Sequence, residues 1–107
     1  MAPNADDLGR FTEPAVLVLS SLAEGPKHGY AIIQDVIAMC GVELGPGTLY
    51  GALARLERRG LIEALASEGR RRPYRLTAAG ATALESQLRA LQTVARTGLR
   101  RLVEVSA

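Results

Sequence analysis

The sequence predicts a mainly α-helical fold with one small β-hairpin and a long final helix. Three observations carry that expectation. Apolar residues recur at three- and four-residue spacings over most of the 107-residue chain, two short strand-like runs flank one arginine-rich turn, and a leucine seam follows them to the C-terminal end. Hydrophobic residues make up 48% and charged residues 22% of the chain, the balance of a soluble globular protein that can close one core at this length.

Residues 1–11 form a polar lead-in with no apolar periodicity. The first helix is expected from about Glu13 to Ala23, with Thr12 as N-cap, Pro14 in the first turn and a stop near Gly25-Pro26. Ala15–Leu19 alone also fits a buried strand; the cap and Leu22 decide for helix. A second helix follows from His28 or Gly29 to Met39, carrying Ile32, Ile33, Val36, Ile37 and Cys40, and Gly41 ends it. Val42-Glu43-Leu44 reads as a short extended piece, and Gly45-Pro46-Gly47 as the turn that opens a third helix. Leu49, Leu53 and Leu56 stripe that helix, and Gly60 closes it, so the pair makes a helix-turn-helix candidate.

Leu61–Ala66 and Pro73–Leu76 read as two strands joined by Ser67-Glu68-Gly69-Arg70-Arg71-Arg72, a connection too polar to bury. Thr77 then caps a helix from about Ala78 to Val103, which Gly80 and Gly98 weaken without breaking. Leu84, Leu88, Leu91, Ala95 and Leu102 follow a heptad seam on it, with Leu99 beside the gap at Gly98. No other helix is long enough to cover this seam, so self-association as a homodimer is expected. The order of elements is that of a winged helix-turn-helix with a C-terminal dimerisation helix: a DNA-binding domain over 12–76 and a dimer helix over 77–107.

Function classes narrow quickly. The one cysteine, Cys40, forms no intramolecular disulfide, the start lacks a signal-peptide pattern, and the longest apolar run is far short of a membrane span, so a cytoplasmic protein without a membrane partner is expected. Cys40 reads as a small core residue or as a redox thiol, depending on its exposure. His28 and Cys40 are too few for a metal site, no cofactor motif is present, and no nucleophile–base pair is in view, so the chain is not expected to be an enzyme. RNA binding would need more exposed aromatics than one Phe and three Tyr supply.

The net charge of +2 is unevenly spread. Residues 1–45 hold two basic side chains against six acidic ones, whereas 46–76 hold seven arginines against three glutamates. Basic charge therefore gathers on the third helix and the hairpin, where a reader of double-stranded DNA would carry it. On the third helix small residues alternate with Thr48, Tyr50, Arg55, Arg58 and Arg59, so part of its surface can enter a major groove. Arg55 ranks above Arg58 and Arg59, which also suit a helix C-terminus. Arg70, Arg71 and Arg72 can neutralise phosphates or enter the minor groove.

The run Gly47-Thr-Leu-Tyr-Gly-Ala-Leu-Ala-Arg-Leu-Glu-Arg-Arg-Gly-Leu-Ile62, with Lys27-His-Gly-Tyr30 before it and Arg72-Pro-Tyr-Arg-Leu-Thr-Ala-Ala-Gly80 after it, resembles the PadR-like transcriptional regulators. The likeness extends from about Thr12 to Leu102 and suggests the compact branch, with one helix after the wing. It implies a winged-helix dimer that represses a promoter and is released by a small molecule; a homodimer with two reading helices is expected on a pseudo-palindromic operator, with a small apolar effector as a further partner. It further implies that Thr48 and Tyr50 face DNA, that Lys27, His28 and Tyr30 lie near its backbone, and that Arg70 to Arg72 form the wing tip. Tyr50 and Tyr30 are open to a packing role instead, and Tyr74 is expected under the hairpin. Relatives of this branch can hold flat ligands between aromatic side chains of the terminal helices; the last helix here has no aromatic residue, so an effector site would be aliphatic or lie elsewhere. The competing reading is a ligand-binding or protein-interaction module that keeps the fold without reading DNA.

Overall fold

The computed structural model describes residues 13–67 and 69–106. Thr12, the polar lead-in and Glu68 lie outside them. The first helix, α1 (Pro14–Leu22), has Pro14 at its start and Glu13 in the N-cap position, with extended backbone and no side-chain cap bond. Leu17, Val18, Leu19, Ser21 and Leu22 are all buried, and α1 packs on the other helices and on the sheet. A helix covered on nearly every side has no polar face, which is why its sequence resembles a buried strand.

After a two-residue strand, β1 (Lys27–His28), comes α2 (Gly29–Cys40). Gly41 adopts φ 75°, a left-handed conformation that favours glycine, and its N–H closes the helix on the Ile37 carbonyl at 2.8 Å. α3 (Pro46–Arg58) starts with Gly45 as N-cap and Pro46 at the first position, and buries Leu49, Ala52, Leu53 and Leu56. The remaining elements are β2 (Ile62–Ala64), β3 (Pro73–Leu76) and α4 (Ala78–Ser106). Together they form a winged helix with a long terminal arm.

The hairpin differs from expectation in one respect. β1 pairs antiparallel with β3, so the sheet has three strands in the order β1-β3-β2, with Lys27 opposite Tyr74 and Ala64 opposite Tyr74 on the other side. The short strand expected at Val42–Leu44 is absent; that segment is irregular and anchored by buried Leu44. Two residues of β1 are too few to show periodicity, whereas Val42 and Leu44 alternate about Glu43 only because both pack on the core.

Val18, Leu22, Ile32, Val36, Leu49, Leu53 and Ile62 are the buried centre of the domain, and Leu84 closes it from α4. Leu84 therefore lies within its own domain's core, while Leu88, Leu91, Ala95, Leu99 and Leu102 are exposed farther along the helix. None of the described helices is long and apolar enough to cross a membrane.

The start of α4 is tightly built. Thr77 Oγ1 accepts from the Gly80 N–H at 3.0 Å and donates to the Gly60 carbonyl at 2.7 Å, while the Thr77 N–H donates to the Leu61 carbonyl at 3.2 Å. A Cβ on Gly80 would stand 2.0 Å from that same Leu61 oxygen. Gly80 is thus a steric requirement, not a weak point, and Gly98, with nothing within 4 Å, is the tolerant one. Gly80→Ala should destabilise the fold by about 2–3 kcal/mol through overpacking, whereas Gly98→Ala should add up to about 1 kcal/mol of helix propensity; urea unfolding of both variants checks the contrast.

Candidate nucleic-acid interface

On α3 the buried stripe turns inward, which leaves Gly47, Gly51, Ala54 and Arg58 along the outermost line. Thr48 and Arg55 flank that line on one side, and Tyr50 and Glu57 on the other. Three small residues in succession let the helix backbone approach a surface closely. A Cβ on Gly51 would make ordinary contact with the Arg55 guanidinium at 3.6 Å, so Arg55 lies along the same face. Arg58 occupies the same line three turns after Gly47, a position that helical spacing discloses but that its place at the helix end obscured.

Tyr50 reconciles its two expected roles. Its hydroxyl lies 2.6 Å from the position a Gly29 Cβ would take, so the ring rests on the first residue of α2, yet the side chain remains 54% exposed. Tyr30, the residue after Gly29, is 65% exposed and faces outward.

His28 caps α2: its Nδ1 accepts from the Ala31 N–H at 3.4 Å. The Arg71 guanidinium lies 3.5 Å from the other ring nitrogen, Nε2. The ring edge of His28 and the Arg71 guanidinium thus stand side by side at the start of α2.

The wing arginines differ from their neighbours in pairing. Arg75 is tied across the strands to Glu63, with Nε 2.8 Å from Oε1, and Arg89 is paired with Glu85 along α4. Among the described residues none of Arg55, Arg58, Arg59, Arg70, Arg71 and Arg72 is in an ion pair, and all are exposed. Beneath them Tyr74 is half-buried against the core, as expected, and burial, with Glu57 nearby, raises its phenol above the ordinary value. It is neutral at physiological pH.

Lys27 is the exception among the sequence candidates. Its side chain is only 14% exposed; its ammonium donates to the Ser21 carbonyl, pairs with Glu24 at 2.8 Å and lies 3.8 Å from Asp35. It is engaged with the helical core instead of standing free on the outer face. Ser21 and Asp35, which complete this cluster through a 2.7 Å hydrogen bond, carry no signal in the sequence that links them to it.

Away from this surface, an apolar groove of about 470 Å³ runs between α1, the end of α2 and α4, lined by Val16, Leu17, Met39, Cys40, Leu91 and Val94 among others. Cys40 is half-covered, and its thiol approaches the Val36 carbonyl at 3.4 Å. Among the described residues no group of three or more His, Cys, Asp or Glu could hold a metal ion.

Comparison with known proteins bears on the whole arrangement. Residues 18–86 match the transcriptional regulator PadR-like family. The transcriptional regulator Rv3488 of Mycobacterium tuberculosis is 42% identical over 82 residues, covering 74% of this chain and 76% of that protein. A 37.1 kDa protein in transposon TN4556 of Streptomyces fradiae is 50% identical over 78 residues, 73% of this chain but only 23% of that longer protein. The crystal structure of a PadR family transcription regulator from Clostridium difficile R20291 superposes with a TM-score of 0.74 at 26% identity, covering 85% of this chain and 99% of that one. The Mycobacterium and Clostridium proteins are transcriptional regulators, as is the matched family, and not enzymes. By the extent of these matches and by its own architecture, the chain belongs to the PadR-like family of transcriptional regulators.

Proposed function

We propose that the protein is a homodimeric, cytoplasmic repressor that grips a pseudo-palindromic operator with α3 and the wing and is released from it by a small apolar effector. One observation carries the reading. Tyr50 rests on Gly29, His28 precedes Gly29, and Arg71 lies against His28, so the outer face of α3, the start of α2 and the wing form one continuous surface. The exposed Arg71 guanidinium beside His28 suits a phosphate oxygen.

In this reading the Gly47–Gly51–Ala54 line leads α3 into the major groove. Thr48, Tyr50 and Arg55 discriminate bases, with Arg58 at the end of the same line, while His28, Tyr30, Arg70, Arg71 and Arg72 hold the backbone. Two such surfaces, about 34 Å apart, would meet successive turns of the duplex. The exposed apolar side chains along α4, among them Leu88, Leu91, Leu99 and Leu102, support pairing with a second copy. The aliphatic and sulfur-bearing groove beside them supports a non-planar apolar effector, since no aromatic side chain lines it.

Gel shift against the DNA upstream of the gene tests the core of the proposal. Replacing Arg70, Arg71 and Arg72 together by alanine should weaken binding on every sequence and flatten the salt dependence, by up to about 0.9 in log–log slope for each phosphate that is no longer neutralised. Arg55→Ala should in addition blur sequence preference, by about 1–3 kcal/mol at one base pair if its hydrogen bonding is bidentate. An unchanged affinity of the triple variant at moderate salt would remove the wing from the interface, and the absence of any salt-sensitive shift at micromolar wild-type protein would favour an interaction module instead.

The dimer has its own test. Leu99→Glu with Leu102→Glu should leave the helix content intact, give a monomer by sedimentation, and lower operator affinity by on the order of a hundredfold through lost bivalency.

A further inference from the structure

Lys27 sits in β1, and its neighbours come from the two helices on either side of it in the chain. The Ser21 carbonyl and Glu24 lie at and beyond the end of α1, and Asp35 lies in the middle of α2. Asp35 Oδ2 also accepts from the hydroxyl of Ser21, which is buried and has no other polar partner among the described residues. The other end of the connection is the wing: Lys27 pairs with Tyr74 of β3, and the next residue, His28, pairs with Pro73 and touches Arg71. Strand alternation sends the two side chains of β1 to opposite faces. Lys27 goes to the helices, and His28 goes to the wing.

From this geometry we infer that Lys27, held by Asp35 and Ser21, is a positioning residue that sets the angle of the wing against α3, and not a phosphate contact; the inference rests on the DNA-binding reading above. Among the described residues β1 is the only strand that joins the sheet directly to α2, since it runs into Gly29 without a break. Two residues of backbone pairing are too few to fix a strand by themselves, so the largely covered ammonium supplies the anchor. With two carboxylates beside it, the ammonium also offers DNA no unbalanced positive charge.

Asp35→Asn separates the two roles because electrostatics and positioning act in opposite directions. Removing a negative charge from a DNA-binding protein should tighten binding if charge alone matters. Loss of the anchor should instead weaken operator binding, by roughly tenfold. Lys27→Met should weaken it similarly while leaving the salt slope unchanged, whereas removal of a phosphate-binding cation would reduce the slope by about 0.9. In a background that lacks the three wing arginines, both substitutions should then have no further effect, a result that general destabilisation would not produce. All measurements are made well below the melting temperature of each variant, with Ser21→Ala as a milder substitute where either unfolds.

Tighter binding by Asp35→Asn, a reduced slope for Lys27→Met, or an undiminished effect without the wing arginines would overturn the inference. Should the wild-type protein fail to bind its upstream DNA, the function reading fails by itself. The anchor is then judged by amide hydrogen exchange: Asp35→Asn should speed exchange in β1 and β3 while leaving α1 protected, and unchanged exchange in those strands would refute it.

Discussion

Everything distal in this molecule depends on one crossing, where the first turn of α4 passes over the turn between α3 and β2. Gly80 meets the Leu61 carbonyl at a distance no side chain permits, and Thr77 bonds to both Gly60 and Leu61 while capping the helix that contains Gly80. The backbone that ends α3 and the backbone that begins the long arm are therefore one joint. The Gly60 and Leu61 carbonyls at the end of α3 take their partners from Thr77, at the start of the arm. The direction of a 29-residue lever is set within a few residues of the surface it serves.

A second joint, at Lys27, does for the wing what the crossing does for the arm. Both use residues at the edge of the core to connect exposed elements that have little apolar area of their own. The exposed parts differ accordingly. α3 is held by four buried side chains, the wing by a three-strand sheet and one ammonium, and the far half of α4 by little within the protomer. Local stability should decline in that order, because opening costs least where little buried surface is uncovered.

Much of this was legible in the chain. Glycines at 41 and 60 and prolines at 14 and 46 mark helix ends through backbone geometry that few other residues share, and the segregation of arginines onto 46–76 foretold which surface is basic. What the chain hides is spatial. β1 has two residues, and its partner strand lies beyond two intervening helices, so no window of sequence discloses it. Lys27 looks like a free cation until Ser21 and Asp35 are brought beside it by two different helices. Gly80 carries the same letter as Gly98, and only the crossing backbone distinguishes them. Leu84 belongs to the heptad by spacing and to the core by packing, because a seam along a helix does not say where its own domain ends.

The chain contains no tryptophan, and its three tyrosines, at 30, 50 and 74, all belong to the start of α2, α3 and the wing. The arm and the apolar groove hold none. Intrinsic tyrosine emission from this protein therefore originates entirely on one side of the molecule. Anything that covers the α2–α3 face meets the two exposed rings, Tyr30 and Tyr50, while the arm carries no emitter of its own, which makes the native, unlabelled protein a one-sided reporter of its own occupancy.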